Sequence, residues 1–407
     1  MKRGFEVRED DKVTGDAKPL SGLRVAYLAF EGFPNTKGSG TRITQLTTGL
    51  ARAGAEVFLI TLGAKQLAAP HPAQVTLRPL KLMEPNLLAR GLAFRDRALR
   101  ELVALRPHVV HFRGVFEGEA AVRYAARAGV PAVFEVNGLP SVELPYHYQA
   151  VGEHPPLLGK FRLLEQRLLT EAQAVITQSQ TTLRFLEDRG IPEDTPRLVL
   201  PNAADPERFT PGAAPPSEPR VLYVGATQAW QGVAELLMAA RRWTAEVPAP
   251  LDVVGPIHPS ARRPIERLIR RLKLESHVHL LGPLTGQALI SRVQQSTVCV
   301  APLRRDRRNL RQGCSPIKLF EYMSCGRLTV ATDLSCVREI ITHGETGHLV
   351  AAPRPKLLAE ALVATLTNPQ AQQQIGAAAR RTIQEKATWA HRQRALVHFY
   401  RESVLTR

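Results

Sequence analysis

The most informative stretch of the sequence is Gly313-Cys-Ser-Pro-Ile-Lys-Leu-Phe-Glu-Tyr-Met-Ser-Cys-Gly326, followed by the apolar run Leu328-Thr-Val-Ala-Thr332. It predicts a helix that starts at Ser315 and leads into a buried strand, since Ser is favoured at the N-cap and Pro at the first helical position. The free N–H groups and positive dipole end of such a helix bind anions. Lys318 adds a positive charge in the first turn, so the stretch predicts a phosphate site.

Glu321 lies three residues beyond Lys318, so both side chains fall on one face of the predicted helix. A carboxylate at this position can accept hydrogen bonds from both hydroxyls of a ribose. Phosphate at one end and ribose at the other describe a nucleotide. The alternative is an ordinary capped helix in which Lys318 and Glu321 form an exposed ion pair.

Apolar strands alternate with helix-length amphipathic segments along the whole chain. This alternation is typical of parallel sheets covered on both faces. A segment rich in Pro and Ala, 201–219, separates two such groups, with a boundary near residue 213. The pattern predicts an α/β protein with two Rossmann-like domains. The predicted strands are 24–30, 56–61, 108–112, 132–136 and 174–177 in the first half, and 220–224, 251–254, 277–281, 298–301 and 328–332 in the second.

The composition is that of a globular protein. The chain has 407 residues, of which 44% are hydrophobic and 22% charged, and this length suffices for two substantial cores. No apolar run approaches the ~20 residues of a membrane span, and the charged start 1–12 does not resemble a signal peptide. We therefore expect a cytoplasmic protein. Its four cysteines show no CxxC pair and are predicted to be reduced, mostly buried thiols that hold no metal.

The formal net charge of +17 calls for an anionic partner: a nucleotide, an acidic membrane or a nucleic acid. Basic residues cluster at 304–311, at 262–273 and at 82–99. The cluster at 262–273 reads as the solvated side of a packed amphipathic helix, with contact at a membrane surface as the alternative. The cluster at 82–99 likewise combines basic with apolar residues, so the same two interpretations apply to it. No basic groove rich in aromatic residues indicates nucleic acid.

The motif around Glu321 resembles the donor-binding signature of the retaining glycosyltransferases of family 4, which have the GT-B fold. Further segments resemble that family in the expected order, so the resemblance covers nearly everything from residue 23 onward. They are 106–112, 133–143, 174–179, 201–205 with Phe209, and 344–350.

The resemblance implies a GT-B architecture of two Rossmann-like domains that face a central cleft. A charged tail, 1–20, would precede an acceptor-side domain, 21–212. A nucleotide-sugar donor domain, 213–385, would follow, and a C-terminal helix, 386–407, would pack back on the first domain. The resemblance also implies that Glu321 holds the donor ribose and that Lys318 acts at the leaving phosphate.

Two glycine-rich turns lie after predicted strands, where ligands of open α/β sheets bind. Glycines before a helix let backbone N–H groups approach a phosphate or sugar oxygen, although such turns are also common without a ligand. The predicted donor contacts are Gly38, Ser39, Gly40, Gly225, Gly232, Ser315, Pro316, Lys318 and Glu321.

The chain departs from the family pattern at three positions. Relatives carry an Arg and a Lys that grip the diphosphate, and this chain has Ala226 and Gln231 there. Lys318, the helix N-termini or an Arg of the 304–311 loop would have to compensate, and a Lys at position 231 should be tolerated or helpful. Relatives also carry a first Glu that contacts the donor sugar, at the position of Gly313. We interpret these departures as a subclass rather than an inactive copy.

The first domain offers acceptor-side candidates at its strand ends. His111 and Arg113 lie at the end of the predicted strand 108–112, where relatives have a His near the transferred sugar. His111 is thus a catalytic candidate, with a buried core histidine as the alternative. Asn137 and Glu143 follow the next strand and are candidate acceptor contacts, with a capped loop as the alternative.

Together these expectations describe a metal-independent retaining glycosyltransferase without a cofactor. It would move a sugar from a nucleoside-diphosphate sugar to a hydroxyl of a glycan or lipid-linked saccharide in cell-surface polysaccharide or glycolipid synthesis. Peripheral contact with the inner face of an acidic membrane is expected. The alternatives are a sugar-nucleotide epimerase or hydrolase on the same fold, or a noncatalytic protein that binds sugar or nucleic acid.

Overall fold

A computed structural model describes residues 18–63, 71, 73–152, 154–213 and 218–406. Most of the predicted charged tail, 1–20, lies outside these ranges, as do residues 214–217, which directly follow the predicted boundary at residue 213. Within the described ranges, no helix has the length and the apolar content that a membrane crossing requires.

The first half of the chain builds a seven-stranded parallel sheet, with strand order β3-β2-β1-β4-β5-β6-β7. Its strands are β1 (Arg24–Phe33), β2 (Glu56–Gly63), β3 (Val75–Leu80), β4 (Val109–Phe112), β5 (Ala132–Glu135), β6 (Ala174–Thr177) and β7 (Arg197–Val199). Its helices are α1 (Gly38–Arg52), α2 (Leu87–Leu105), α3 (Val115–Ala128), α4 (Pro140–His147), α5 (Gln149–Gly152), α6 (Pro155–Glu171) and α7 (Gln180–Glu187).

The second half builds a six-stranded parallel sheet, with strand order β10-β9-β8-β11-β12-β13. Its strands are β8 (Val221–Val224), β9 (Leu251–Val254), β10 (Val278–Gly282), β11 (Val298–Ala301), β12 (Leu328–Thr332) and β13 (His348–Val350). The helices are α8 (Val233–Glu246), α9 (Pro259–Arg271), α10 (Gly286–Gln294), α11 (Ile317–Ser324), α12 (Ser335–Arg338), α13 (Pro355–Leu366), α14 (Pro369–Lys386) and α15 (Trp389–Phe399).

Both sheets follow the 3-2-1-4-5-6 order of the doubly wound fold, which confirms the predicted α/β class with two Rossmann-like sheets. In each sheet the direction of winding reverses between the first and fourth strands. Ligands of such sheets bind beyond the carboxyl ends of these two strands. The reversal points therefore lie after β1 and β4 in the first sheet and after β8 and β11 in the second.

The central strands of the first sheet are buried on both faces, as their apolar runs predict. Leu28 and Phe112 belong to a core under α2, α3 and α6, whereas Tyr27 belongs to a second core with α1. That second core also contains Trp389 and Phe399 from the C-terminal helix α15. Burial of apolar area contributes about 25 cal/mol per Å². Large aromatic residues such as these therefore stabilise the packing of α15 against the first sheet.

The chain crosses between the two halves twice, and the crossings lie side by side. Trp389 N donates to Ala204 O at 3.1 Å, and Ala204 N donates to Ala387 O at 3.2 Å. Beyond this point Gln393 Nε2 of α15 donates to Gln45 O of α1 at 2.9 Å. The last helix thus returns to the first sheet after α14 has packed on α11 of the second.

Candidate active site

The two reversal points face each other across an interdomain cleft. The first residue of α1, Gly38, lies so close to the first residue of α11 that an added Cβ would be 3.3 Å from Ile317 Cδ1. The first residues of two helices, one from each domain, therefore lie in contact across the cleft. Their free N–H groups favour an anionic ligand there.

Ser315 does not cap α11, which corrects the predicted helix start. The helix begins at Ile317, Pro316 occupies the N-cap position, and no side chain caps the first turn. The Ser315 hydroxyl instead accepts a hydrogen bond from Asn202 N at 2.9 Å, and Asn202 Nδ2 donates to Ser315 O. Ser315 thus joins the donor loop to the interdomain crossing, and the N–H groups at the start of α11 stay uncapped by side chains.

Lys318 is buried in the first turn of α11. Its side chain is 9% exposed, and Nζ donates to Gln231 Oε1 at 2.9 Å and lies 4.2 Å from the centroid of the Tyr223 ring. Burial lowers the pKa of Lys318 to about 7, against the opposing influence of Cys314 and Glu321. A buried ammonium group without a carboxylate hydrogen-bonded to it would gain from an anionic ligand.

Two glycines of the β8–α8 turn make room for this arrangement. Gly225 has φ +146°, and an added Cβ would lie 2.7 Å from Lys318 Nζ. Gly232 has φ +74°, and an added Cβ would lie 1.8 Å from Pro302 O. Both predicted positions therefore require glycine, Gly225 for the approach of Lys318 and Gly232 for the packing of the turn on the β11 loop.

Glu321 lies one turn beyond Lys318 on α11 and is half-buried. Burial raises the pKa of Glu321 to about 7, and Arg208 and Lys318 oppose this shift. The carboxylate accepts no hydrogen bond from any residue that the structure describes. A half-buried carboxylate that lacks such a donor is suited to accept hydrogen bonds from the hydroxyl groups of a ligand.

The glycine loop of the first domain is ordered by its own side chains. Ser39 Oγ donates to Glu31 Oε2 at 2.6 Å, and Asn35 Nδ2 donates to Gly32 O at 2.7 Å. An added Cβ at Gly40 would lie 2.5 Å from Asn35 O. Gly40 therefore serves the fold of the loop, and Gly38 is the member of the predicted set that faces the other domain.

His111 lies in the core rather than at the cleft surface. It is 0% exposed, Nδ1 is 2.7 Å from Tyr400 Oη, Nε2 is 3.0 Å from Glu135 Oε2, and the ring stacks on Tyr27. Burial lowers the pKa of His111, although Glu135 opposes the shift. This geometry gives no support to a catalytic contact of His111 with the sugar, because both ring nitrogens are occupied. It matches the alternative of a buried core histidine.

Glu135 is the centre of this buried network, which the sequence analysis did not identify. It accepts from Tyr27 Oη at 2.5 Å, from Arg42 Nε at 2.6 Å and from Arg113 Nε at 3.3 Å. Burial raises the pKa of Glu135, but Arg42 and Arg113 outweigh it and hold the pKa well below its usual range. The sequence does not single out Glu135, because it directly precedes Val136 in an apolar run that predicts a buried strand.

Arg113 connects this network to the cleft. Its Nη1 donates to Glu31 Oε1 at 2.6 Å, and its Nη2 donates to Asn137 Oδ1 at 2.6 Å. Asn137 is exposed and also accepts from Gln178 Nε2 at 2.9 Å. Of the predicted acceptor-side residues, Asn137 thus faces the cleft, and Arg113 positions it.

Glu143 bridges the two domains. Its Oε1 accepts from Arg308 Nε at 3.1 Å and from Gln312 Nε2 at 2.8 Å, and it forms an ion pair with Arg308 Nη2 at 2.9 Å. Both partners belong to a π-helical turn, Arg308–Gln312, in the β11 loop. The Arg308 guanidinium also lies 5.0 Å from the centroid of Trp230. Trp230 is buried and packs edge-on against Tyr146 of α4, as expected for a packing residue.

Arg308 is the member of the basic 304–311 loop that enters the cleft. Arg304 pairs with Glu235, and Arg305 donates to backbone carbonyl groups. Sequence reasoning left the choice among these arginines open, since only the turn of the loop decides which guanidinium points inward. A cavity in the cleft is lined by Asn137, Gly138, Gln178, Arg308, Gly313 and Cys314.

Gly313 adopts φ +72° against the first domain, where an added Cβ would lie 3.0 Å from Thr181 Cγ2. A Glu at this position would therefore strain the backbone and press on α7. In the part of the chain that the structure describes, no three His, Cys, Asp or Glu side chains are grouped to hold a metal ion. Metal independence stays a prediction.

The fold and the cleft define a GT-B glycosyltransferase. Two family profiles match the chain: residues 36–208 match "Glycosyltransferase Family 4", and residues 218–368 match "Glycosyl transferases group 1". The chain therefore belongs to the family-4 type of GT-B glycosyltransferases, and it is a transferase.

Similar proteins match nearly the whole length of the chain, and the similar solved structures share its fold. The D-inositol 3-phosphate glycosyltransferase of Rhodococcus erythropolis is 24% identical over 410 residues, which cover 94% of this chain and 90% of that protein. The structure of sucrose-phosphate synthase from Thermosynechococcus elongatus has a TM-score of 0.78 at 22% identity, covering 93% and 98% of the two chains. Anabaena HepE in complex with UDP-glucose has a TM-score of 0.73 at 14% identity, covering 93% and 99%.

Proposed function

We propose that this enzyme transfers a sugar, with retention of anomeric configuration, from a nucleoside-diphosphate sugar to a hydroxyl group of an acceptor. The observation that carries the proposal is the pair Lys318 and Glu321, one turn apart at the cleft end of α11. In this proposal the Lys318 ammonium group contacts the phosphates, and the Glu321 carboxylate, which accepts no hydrogen bond from the described residues, binds the ribose. The UDP-glucose complex of the structurally similar HepE supports this type of donor.

The leaving diphosphate gains charge in the transition state, so fixed positive charge is a large catalytic contribution. Ala226 and Gln231 supply none. In our proposal Lys318 and the N-termini of α1 and α11 stabilise the diphosphate, and Arg308 supplies the second cation. Glu143 would then release Arg308 to the phosphates, because a dianionic diphosphate attracts a guanidinium more strongly than one carboxylate does.

The acceptor would lie on the side of the first domain, near Asn137. A retaining transfer requires no general base from the protein, since the departing phosphate oxygen can take the acceptor proton on the same face. The names of the relatives point to phosphorylated small acceptors, whereas the surface of α2 favours an acceptor held at a membrane. We propose a lipid-linked saccharide or a growing cell-surface glycan as the acceptor.

The surface of α2 supports peripheral contact with an acidic membrane. Leu88, Leu92 and Val103 are 45%, 55% and 60% exposed, and Met83 just before the helix is 90% exposed. Residues 81–106 carry six Lys or Arg against three Asp or Glu. Exposed apolar side chains flanked by positive charge fit the interface of an anionic bilayer. By contrast, α9 buries Ile265 and Ile269 in the second core, so its charges are the solvated side of a packed helix.

A flotation assay tests this surface. The protein with Leu88→Glu and Leu92→Glu should lose binding to phosphatidylglycerol vesicles, and Leu357→Glu in the second domain, which is 37% exposed, is the matched control. Equal binding of all variants, or equal binding to neutral phosphatidylcholine vesicles, would refute the proposed membrane face.

The donor proposal is tested with a panel of UDP-, GDP-, ADP- and dTDP-sugars. A donor at 100 times its dissociation constant should stabilise the fold by about 2.7 kcal/mol, measured as a rise in melting temperature. Transfer is then followed by NMR with lipid-linked and phosphorylated acceptors. A retained anomeric configuration in the product is expected. Inversion, or the absence of binding across the panel, would overturn the proposal, and hydrolysis or epimerisation without transfer would favour the alternative enzyme class.

A further inference from the structure

Two thiols lie side by side behind the donor loop. Cys314 Sγ is 3.8 Å from Cys336 Sγ, and neither forms a disulfide in the structure. Cys314 belongs to the segment 313–316 that precedes α11, and Cys336 lies in the first turn of α12. The segment that presents the helix N-terminus to the cleft is therefore within reach of a second thiol.

The two thiols differ in environment in the way that an attacking and a resolving cysteine differ. Cys314 is partly exposed and lines the cleft cavity, whereas Cys336 is buried. The hydrogen bond from Cys336, assisted by Arg308 and Lys318, lowers the pKa of Cys314 to about 7 despite burial. The contact with Cys314, together with burial, raises the pKa of Cys336. Thiolate character and access to solvent determine which cysteine reacts with an oxidant.

We propose that Cys314 and Cys336 form an oxidation site that responds to peroxide and controls the donor loop. The Cys314 thiolate attacks one oxygen of hydrogen peroxide, so that a sulfenic acid forms and hydroxide leaves and is protonated to water. The Cys336 sulfur then displaces the hydroxyl group as a second water molecule, and the S–S bond forms. Two thiols lose two electrons and two protons, and one peroxide is reduced to two water molecules.

Disulfide formation moves the donor loop. The sulfur atoms must approach from 3.8 Å to the bonding distance of about 2.05 Å, so residues 313–316 shift towards α12. That segment carries the contact between Ser315 and Asn202 and leads directly into Lys318. Oxidation is therefore expected to weaken donor binding. This consequence rests on the proposed function, whereas formation of the bond does not.

The test uses the full chain, reduced with dithiothreitol and then treated with a small excess of hydrogen peroxide. Peptide mapping should show one Cys314–Cys336 link with a loss of 2 Da, and hydrogen exchange of residues 313–321 should change. The affinity for UDP-glucose should fall about tenfold or more and recover with dithiothreitol. Cys336→Ser should abolish the link and the loss of affinity, whereas the buried control Cys325→Ser should retain both.

Two results would overturn the proposal: oxidation of Cys314 without a link to Cys336, or a link that leaves exchange at 313–321 unchanged. If the link and the exchange change appeared in a protein that bound no UDP-glucose before oxidation, the thiol pair would stand. The failure would then concern UDP-glucose as the donor and not the thiol pair.

Discussion

At the scale of single residues, burial moves the ionisation of Lys318 and Glu321 towards each other. Desolvation lowers the pKa of the ammonium group and raises that of the carboxyl group, so both titrate at about 7. Each charged group has lost hydrogen bonds to water that a ligand can replace. A phosphate group would replace them at Lys318, and hydroxyl groups would replace them at Glu321. Groups that titrate near the working pH are typical of functional sites.

Glu321→Ala should weaken donor binding without unfolding the protein, because the carboxylate accepts no hydrogen bond from the described residues. The loss of charged hydrogen bonds costs about 1.5–3 kcal/mol, or roughly ten- to a hundredfold in affinity. Calorimetric titration with the cognate nucleotide sugar measures the change, and the exposed Glu360→Ala on α13 is the control. An unchanged affinity for the donor would remove Glu321 from the site.

Donor affinity should peak near pH 7. The pKa of Lys318 is lowered, so its charge is lost as the pH rises through about 7; the pKa of Glu321 is raised, so its charge is lost as the pH falls through about 7. A nucleotide sugar has no phosphate that titrates in this range. Titrations across pH 5.5–8.5, an interval of about 1.5 pH units on each side of these pKa values, should show that Lys318→Ala loses the alkaline limb and Glu321→Gln the acidic limb.

The Cys314 thiol also titrates at about 7 beside Lys318, and its anion would add to the alkaline limb. Cys314→Ser therefore serves as the control that separates the two groups. A flat profile for the wild-type protein would show that neither Lys318 nor Glu321 governs binding.

At the scale of elements, the three strands that the sequence analysis missed all lie at the edge of a sheet. They are β3 and β7 in the first sheet and β13 in the second. An edge strand has one neighbour and more solvent, so it is short or lacks a continuous apolar run. In β3 only Leu80 is buried, and β7 and β13 have three residues each. The nine central strands were predicted because burial on both faces requires apolar runs, and the edge strand β10 was predicted as well because its short sequence is rich in apolar residues.

The turn between β8 and α8 should tolerate no side chain at Gly232. Gly232→Ala combines a left-handed backbone, which costs about 1–3 kcal/mol, with a contact of 1.8 Å to Pro302 O. Gly344→Ala has a similar φ of +79° but no atom within 4 Å, so it reports the backbone cost alone. Urea unfolding should show a clearly larger loss of stability for Gly232→Ala; equal losses would contradict the packing described here.

The same turn revises the expectation for position 231. Gln231 Oε1 accepts from Lys318 Nζ at 2.9 Å and lies 3.2 Å from Tyr223 Oη. Gln231→Lys removes this acceptor and places a second ammonium group beside the first. We now expect donor affinity to fall by about tenfold, because like charges at this distance repel strongly in a buried site. Gln287→Lys, on the exposed side of α10, is the control, and unchanged or improved affinity would restore the first expectation.

At the scale of the whole molecule, side chains of each domain form hydrogen bonds and ion pairs with helical segments of the other domain. Glu339, which follows α12, accepts from Gln180 N at 2.7 Å and from Thr181 N at 2.9 Å. It thereby satisfies two N–H groups in the first turn of α7, as an N-terminal carboxylate does within a helix. Glu143 makes the reverse contact from α4 to Arg308. These contacts define how far the cleft is closed.

Glu339→Ala should widen the cleft, because α7 loses its partner across the domains. Capping interactions of this kind contribute about 0.5–2 kcal/mol, enough to shift the balance between closed and open arrangements several-fold. Small-angle X-ray scattering should show a larger radius of gyration, and the exposed Glu345→Ala is the control. An identical scattering curve for Glu339→Ala would show that this contact does not hold the domains together.

By itself, the sequence determined the α/β class, the two central groups of strands and the nucleotide-type motif at Lys318 and Glu321. These features depend on local order along the chain: apolar runs, helix starts and residues one turn apart. The tertiary structure decided that His111 belongs to the core, that Ser315 joins Asn202 rather than capping α11, and that Arg308 enters the cleft. It also decided that Cys314 meets Cys336 and that Glu135 anchors a buried network. Each of these depends on contacts between residues far apart in the chain, and local patterns carry no information about such distances.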